Sequence, residues 1–246
     1  MFTHDSRDRL RDALVERARL DPAVAGAAVT GSAAGGTEDR WSDIDLFFGL
    51  APGADQAAVL ADWSAWMRAE AGAVADMDVR LGGTVYRVFL LADTLQVDLA
   101  FAPDGEFGAL GPTFRLLFGE PVERPFGGAP DVAGLVGWAW LYALHARSSI
   151  ERGKKWQAEY MISGLRDHVL ALACVRHGVP ASQGRGMDQL PASVTGALEG
   201  ALVDGLSDGE LRRAFAVGVA GLLTEVEHVD PALAGTLRGP LERLST

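Results

Sequence analysis

A chain of 246 residues, 48% of them hydrophobic, can bury one large core or two modest ones. Its formal net charge of −11 argues against nucleic acid as the main partner, because DNA and RNA binders need Lys/Arg clusters against phosphates. The single cysteine, Cys174, excludes an intramolecular disulfide and a cysteine-based zinc site, and its apolar neighbours Val169 to Ala173 mark it as inert core.

The charged N-terminus, Met1 to Arg11, has no apolar segment of the secretory kind. Ser6 to Leu20 has helical periodicity, with Leu10, Leu14 and Ala18 on one side, and Asp21-Pro22 ends it. Val24 to Thr30 reads as a buried strand running into Gly31-Ser32, and residues 33–40 as a Gly-rich connector. Ile44 to Leu50 is a second strand, and Asp55 to Ala71 a helix carrying Leu60, Trp63 and Met67. Val74 to Leu81, Val85 to Leu91 and Gln96 to Phe101 follow as strands, with turns at Gly82-Gly83 and Ala92-Asp93.

From about Asp131 the pattern changes to long helices near 131–151, 155–177, 207–227 and 231–244. The Pro/Gly-rich stretch 121–130 is the natural linker between a mixed α and β domain, 1–120, and a helical domain, 131–246. The most apolar stretch, Leu135 to Ala146, is too short to span a bilayer and contains His145. A cytoplasmic protein without a membrane partner is the expectation; nothing in the chain specifies its oligomeric state.

The chemistry concentrates around residues 31–45. Side chains two apart on a strand share a face, so Asp43 and Asp45 project together while Ile44 and Leu46 enter a core. Two adjacent carboxylates repel unless a cation sits between them, and oxygen ligands suit Mg²⁺. Asp98, a lone acid in the apolar run Leu95 to Phe101, is the expected third member, since an unpaired buried carboxylate is costly. The alternative is a structural pair with Arg80 or Arg87. Asp76-Met77-Asp78 repeats the Asp-x-Asp pattern but lacks a preceding Gly-Ser turn; it reads as an exposed strand with both acids in solvent.

Gly31-Ser32, Asp43-Ile44-Asp45 and Asp98 together resemble the signature of the nucleotidyltransferase superfamily, which includes DNA polymerase beta and the antibiotic adenylyltransferases. The resemblance covers about the first 105 residues. It implies an α+β fold: a catalytic domain with a small mixed sheet and helices on one face, a C-terminal helical bundle, and an active cleft between them. It also implies that Gly31 and Ser32 hold the β/γ-phosphates of a nucleoside triphosphate and that Asp43 and Asp45 bridge two Mg²⁺ ions. Asp98 would complete the acceptor-side metal site and take the acceptor hydroxyl's proton.

The segment Arg152 to Tyr160, continuing to Arg166 and His177, resembles the helical part of small-molecule nucleotidyltransferases. That resemblance implies a role for Lys154 or Lys155 on the triphosphate and for Glu159 near the acceptor. The bland alternative is an exposed Lys155–Glu159 i,i+4 pair worth about 0.3 kcal/mol. Some aminoglycoside adenylyltransferases use Glu as the acceptor-side acid, and in others a Glu of the helical domain is the base. Here the strand acid is Asp98, with Glu159 a second candidate, so the antibiotic class does not carry over. His145, His168 and His177 read as satisfied or surface histidines. Most of Trp138, Trp140, Tyr142, Trp156 and Tyr160 read as core, though any of them could stack a base or sugar ring.

The expected activity is Mg²⁺-dependent transfer of a nucleoside monophosphate, AMP from ATP, to a hydroxyl of a small molecule. Aminoglycoside-type and lincosamide antibiotics are among the candidate acceptors. Two other readings stay open: a protein-modifying adenylyltransferase of the antitoxin kind, and a nucleotide-binding interaction protein without turnover.

Overall fold

The structure, a computed structural model, describes residues 1–125 and 130–245. The chain divides into two compact units, Met1–Gly128 and Ala129–Thr246. The middle of the expected linker, residues 126–129, lies outside the described residues. Its first part packs back on the sheet unit: the Val122 N–H donates to the Phe107 carbonyl (2.7 Å) and Arg124 to the Glu106 carbonyl (2.8 Å).

The first unit is a six-stranded mixed sheet with helices α1 (His4–Leu20) and α3 (Gln56–Glu70) on one face. In chain order the strands are β1 (Val24–Thr30), β2 (Ile44–Leu50), β3 (Ala73–Leu81), β4 (Thr84–Leu91), β5 (Gln96–Ala102) and β6 (Phe114–Phe118). Across the sheet they run β3-β4-β5-β2-β1-β6. Every neighbouring pair is antiparallel except β2 and β5, which run parallel with Ile44 level with Val97 and Asp45 level with Asp98.

Strand alternation explains which face is dry. Val29, Ile44, Leu46, Phe48, Phe89, Val97, Leu99 and Phe101 point toward the helices and meet Leu14, Ala18, Leu60, Trp63 and Met67. Burying side chains of this size contributes about 1.5–3 kcal/mol each before the entropy of ordering is subtracted. The opposite face has only a small cluster, Ala28, Phe47, Ala100, Ala102 and Phe107. At the β3/β4 edge that face is open, and Met77, Val79, Leu81 and Leu90 are exposed there.

Two elements of this unit are not evident from periodicity. Gly31–Gly35 is a short helix, α2, where a connector was expected to begin. Its five residues, GSAAG, are too few to show a helical stripe. β6 completes the sheet beside β1, with an exposed, irregular burial pattern that gives no alternation to read.

The second unit is helical: α4 (Val132–Glu151), α5 (Lys155–His177), α6 (Ala192–Glu199), α7 (Asp208–Val229) and α8 (Pro231–Ser245). Its core joins Val136, Ala139, Ala143, Ala146 and Ile150 of α4 to Ala158, Ile162, Leu165, Val169 and Leu172 of α5, with Phe215, Val219, Leu222 and Val226 of α7. The stripe expected on α5 is therefore its buried face. Gly164 receives the Tyr142 ring, which a Cβ at that position would overlap.

The aromatic residues of this unit correct the expectation that most are core. Trp138, Trp156 and Tyr160 are 57%, 77% and 63% exposed, and Trp140 is also exposed. The reason is close helix packing: the alanines at 139, 143, 146 and 158 let α4 and α5 approach, which sends the bulky rings outward. No helix among the described residues is long and apolar enough to cross a membrane.

Candidate active site

The site is built by the chain from the end of β1 through α2 to β2, and by the start of β5 beside β2. β1 ends at Thr30, and Gly31 turns the chain with φ of +60° into α2. Only glycine fits there: besides the left-handed backbone, a Cβ would overlap the Asp45 carboxylate. The turn and the carboxylate are thus in direct contact, and Ser32 follows in the first turn of α2, its carbonyl accepting from the Gly36 and Thr37 N–H groups.

The approach to Asp43 is fixed from beneath. Arg7 of α1, almost fully buried, donates through Nη1 to the carbonyls of Asp39 (2.6 Å) and Ser42 (3.3 Å). Asp39 turns the same loop by accepting from the Trp41 N–H (2.8 Å) and the Ser42 hydroxyl (3.1 Å). That first bond to the Trp41 backbone holds the Asp39 carboxyl below its usual range.

Asp43 therefore enters β2 at a defined height, and Asp45 and Asp98 follow side by side through the parallel register. One oxygen from each of Asp43, Asp45 and Asp98 lies within 4.8 Å of the other two, and all three side chains are half-buried. Burial pushes the Asp98 carboxyl up and the neighbouring Asp43 charge adds to this, while a hydrogen bond from Gln96 opposes both. The Gln96 amide donates to Asp98 Oδ1 at 3.0 Å and reaches Asp43 Oδ2 at 3.4 Å.

These residues fit a divalent cation. Three oxygen donors converge, burial and then the Asp43 charge raise the proton affinity of Asp98, and a small turn stands against Asp45. The arginine alternative for Asp98 is not realised. Arg87 donates instead to Asp78 (2.7 and 2.9 Å), the Leu60 carbonyl (3.0 Å) and the Ser64 hydroxyl (2.8 Å), and Arg80 lies 3.4 Å from Asp78.

The second Asp-x-Asp pair also differs from its sequence reading. Asp76 and Asp78 are not in solvent; they are half-buried on the helix-covered side of β3, held by Arg68 of α3 and by Arg87. The Arg87 hydrogen bond holds the Asp78 carboxyl below its usual range. It is the apolar residues of β3, Met77 and Val79, that face out.

Lys154, Lys155 and Glu159 belong to the helical unit. Lys154 is the residue preceding α5, and Lys155 and Glu159 are in its first turns. The alternative reading, a Lys155–Glu159 pair, is not what these side chains form: Lys155 Nζ lies 3.7 Å from Asp208, and Glu159 accepts from the Ser163 hydroxyl at 2.7 Å. His168 is satisfied, its Nδ1 lying 2.8 Å from the Gly164 carbonyl. Cys174 is buried, and burial pushes its thiol up.

Sequence reasoning missed Arg7 and Gln96. Arg7 sits in an ordinary charged helix, and its partners are backbone carbonyls that no pattern reveals. Gln96 had a signal: it stands two residues before Asp98 on the same strand face.

Comparison with known proteins bears on the sheet unit. Residues 7–80 match the family model described as a nucleotidyltransferase domain, which spans the turn and the Asp43/Asp45 pair but ends before Asp98. Among solved structures, an aminoglycoside 6-adenyltransferase from Bacillus subtilis is similar at 12% identity, over 95% of this chain and 96% of that one, with a TM-score of 0.40. A nucleotidyltransferase-like protein from Exiguobacterium sibiricum is similar at 14% identity, over 93% of this chain and 78% of that one, with a TM-score of 0.39. No curated protein matches the chain. Residues 7–80, which carry the glycine turn packed against a strand-borne carboxylate pair, match a nucleotidyltransferase domain.

Proposed function

We propose that the protein is a Mg²⁺-dependent adenylyltransferase that moves AMP from ATP to a hydroxyl of a small molecule, with aminoglycoside-type and lincosamide antibiotics as candidate acceptors. The observation that carries the metal-dependent reading is the convergence of Asp43, Asp45 and Asp98 beside Gly31.

In this mechanism the Gly31 and Ser32 backbone amides and the Ser32 hydroxyl bind the β/γ-phosphates, aided by Lys154 or Lys155. Asp43 and Asp45 would hold two Mg²⁺ ions, with Asp98 a further ligand on the acceptor side. The bound ions would supply charge neutralisation on the phosphates and acidify the acceptor hydroxyl. Asp98 receives the hydroxyl proton; Glu159 is the second candidate for that role. The acceptor oxygen forms a bond to the α-phosphorus, the bond from the α-phosphorus to the β-bridging oxygen breaks, and pyrophosphate leaves with the electron pair. The acidic net charge suits a cationic acceptor.

The test is incubation of the pure protein with Mg-ATP and a panel of aminoglycosides, aminocyclitols and lincosamides, following pyrophosphate release and acceptor mass. A gain of one AMP on a compound, lost in the Asp43→Asn/Asp45→Asn variant, is the expected result. Equal turnover by the double variant would sink the carboxylate assignment. ATP binding without modification of any compound would overturn these acceptor classes in favour of a protein, another metabolite or nucleotide binding without turnover.

A further inference from the structure

We infer that Gln96 is a positioning residue that spaces and orients the carboxylates for metal. The inference rests on the metal-binding reading of Asp43, Asp45 and Asp98.

Parallel pairing sets Asp45 level with Asp98 and Ile44 level with Val97, so Asp43, one residue earlier, stands level with Gln96. The four side chains form a square, two on β2 or at its entry and two on β5. Gln96 is the only corner that is not an acid. Its Nε2 bonds Asp98 Oδ1 at 3.0 Å and reaches Asp43 Oδ2 at 3.4 Å. Ionised carboxylates accept only, so the amide nitrogen, and not its oxygen, must face them.

This arrangement does two things. A neutral donor between two acids lowers their mutual repulsion without adding a charge that competes with the cation. The shorter bond also ties down one oxygen of Asp98 and leaves the other to the metal, as partners of ligating carboxylates commonly do. A lysine at this corner would occupy the cation's place, and a glutamate would add a fourth repelling charge. A methionine would keep the length and lose the donor.

The test is Mn²⁺ binding to the full-length protein without nucleotide, read by electron paramagnetic resonance. Four proteins are compared: the native chain, Gln96→Met, Asp98→Asn and the double variant. Gln96→Met is expected to weaken Mn²⁺ binding about tenfold or more, the range seen when a ligand's hydrogen-bond partner is removed. In the Asp98→Asn background the same change should alter affinity less than about twofold, because the groups act as one unit. Gln96→Leu, equally without a donor, must behave alike and serves if the methionine variant folds poorly.

Affinity unchanged in a folded Gln96→Met or Gln96→Leu protein would overturn the inference. So would a full tenfold loss in the Asp98→Asn background. Failure of the underlying reading looks different: the native chain and the Asp43→Asn/Asp45→Asn variant would then bind Mn²⁺ equally poorly, whatever stands at 96.

Discussion

The sheet unit carries the Asp-x-Asp pattern twice, and the two copies differ in strand position, in the face their acids present and in the partners they meet. Asp76-Met77-Asp78 lies on the edge strand with its acids turned toward α3, where Arg68 and Arg87 neutralise them. Asp43-Ile44-Asp45 enters a central strand with its acids turned to the opposite face, where a third acid and a neutral amide meet them. One pair is a closed set of ion pairs that ties a strand to a helix. The other brings three carboxylates within 4.8 Å of one another. An Asp-x-Asp motif therefore acquires its meaning from the face of the sheet that its strand presents and from the residues standing across from it.

The largest expected effect separates the two copies directly. Asp43→Asn/Asp45→Asn should lower turnover by at least about 10³-fold, because metal catalysis is lost. Its thermal midpoint should stay level or rise, since mutual repulsion is removed. Asp76→Asn/Asp78→Asn should do the reverse, keeping turnover per folded molecule within about threefold while destabilising the fold through unpaired arginines. Turnover and thermal melts on both variants decide the matter; a catalytic loss of similar size in both would erase the distinction.

The next effect concerns what makes the first pair special, its contact with Gly31. Gly31→Ala should cost about 1–2 kcal/mol from the positive φ alone. It should also push the Asp45 carboxylate aside, and a displacement near 1 Å at a reacting centre costs about 10²-fold in rate. Asp45→Ala combined with Gly31→Ala makes room for the new methyl, so the stability loss should then shrink toward the backbone cost. A Gly31→Ala protein with native turnover would show that the turn is not coupled to the carboxylate.

How much of this was legible follows from the same physics. Ile44–Leu50 and the α5 stripe were readable because their apolar residues repeat at the period of the element they form. The carboxylate set was readable because an acid inside a buried strand stands out against its neighbours. α2 and β6 were not, being five residues each with no buried stripe. The outward rings of Trp156 and Tyr160 ran against hydrophobicity itself: α4 and α5 pack through alanines, which composition does not distinguish from filler. The burial of Asp76 and Asp78 depended on Arg68, eight residues before Asp76, and Arg87, nine after Asp78; only strand register and helix placement bring those side chains together.

A smaller effect probes the closed pair. Arg87 joins β4 to β3 through Asp78, and to α3 through the Leu60 carbonyl and Ser64. Arg87→Met should cost about 2 kcal/mol, since it leaves half-buried acceptors without a donor. Turnover in the folded fraction should not change, because this network lies on the face of the sheet away from Asp98. A urea titration of both proteins measures the first quantity, and assay at low temperature the second.

The smallest effect is the pH dependence of that same difference. The folded Asp78 carboxyl lies below its unfolded value of 3.8, chiefly through the Arg87 hydrogen bond. Its contribution is therefore fully present above the unfolded value and is lost as pH falls through the folded one. The gap in urea midpoint between the native chain and Arg87→Met should be constant from about pH 7 to 5 and narrow below about pH 4. Both proteins lose stability in acid as other carboxylates protonate, so the gap is the informative quantity. A gap that stays constant to pH 2.5 would mean that Arg87 stabilises through Leu60 and Ser64 alone, and that the second Asp-x-Asp pair does not depend on its arginine for charge.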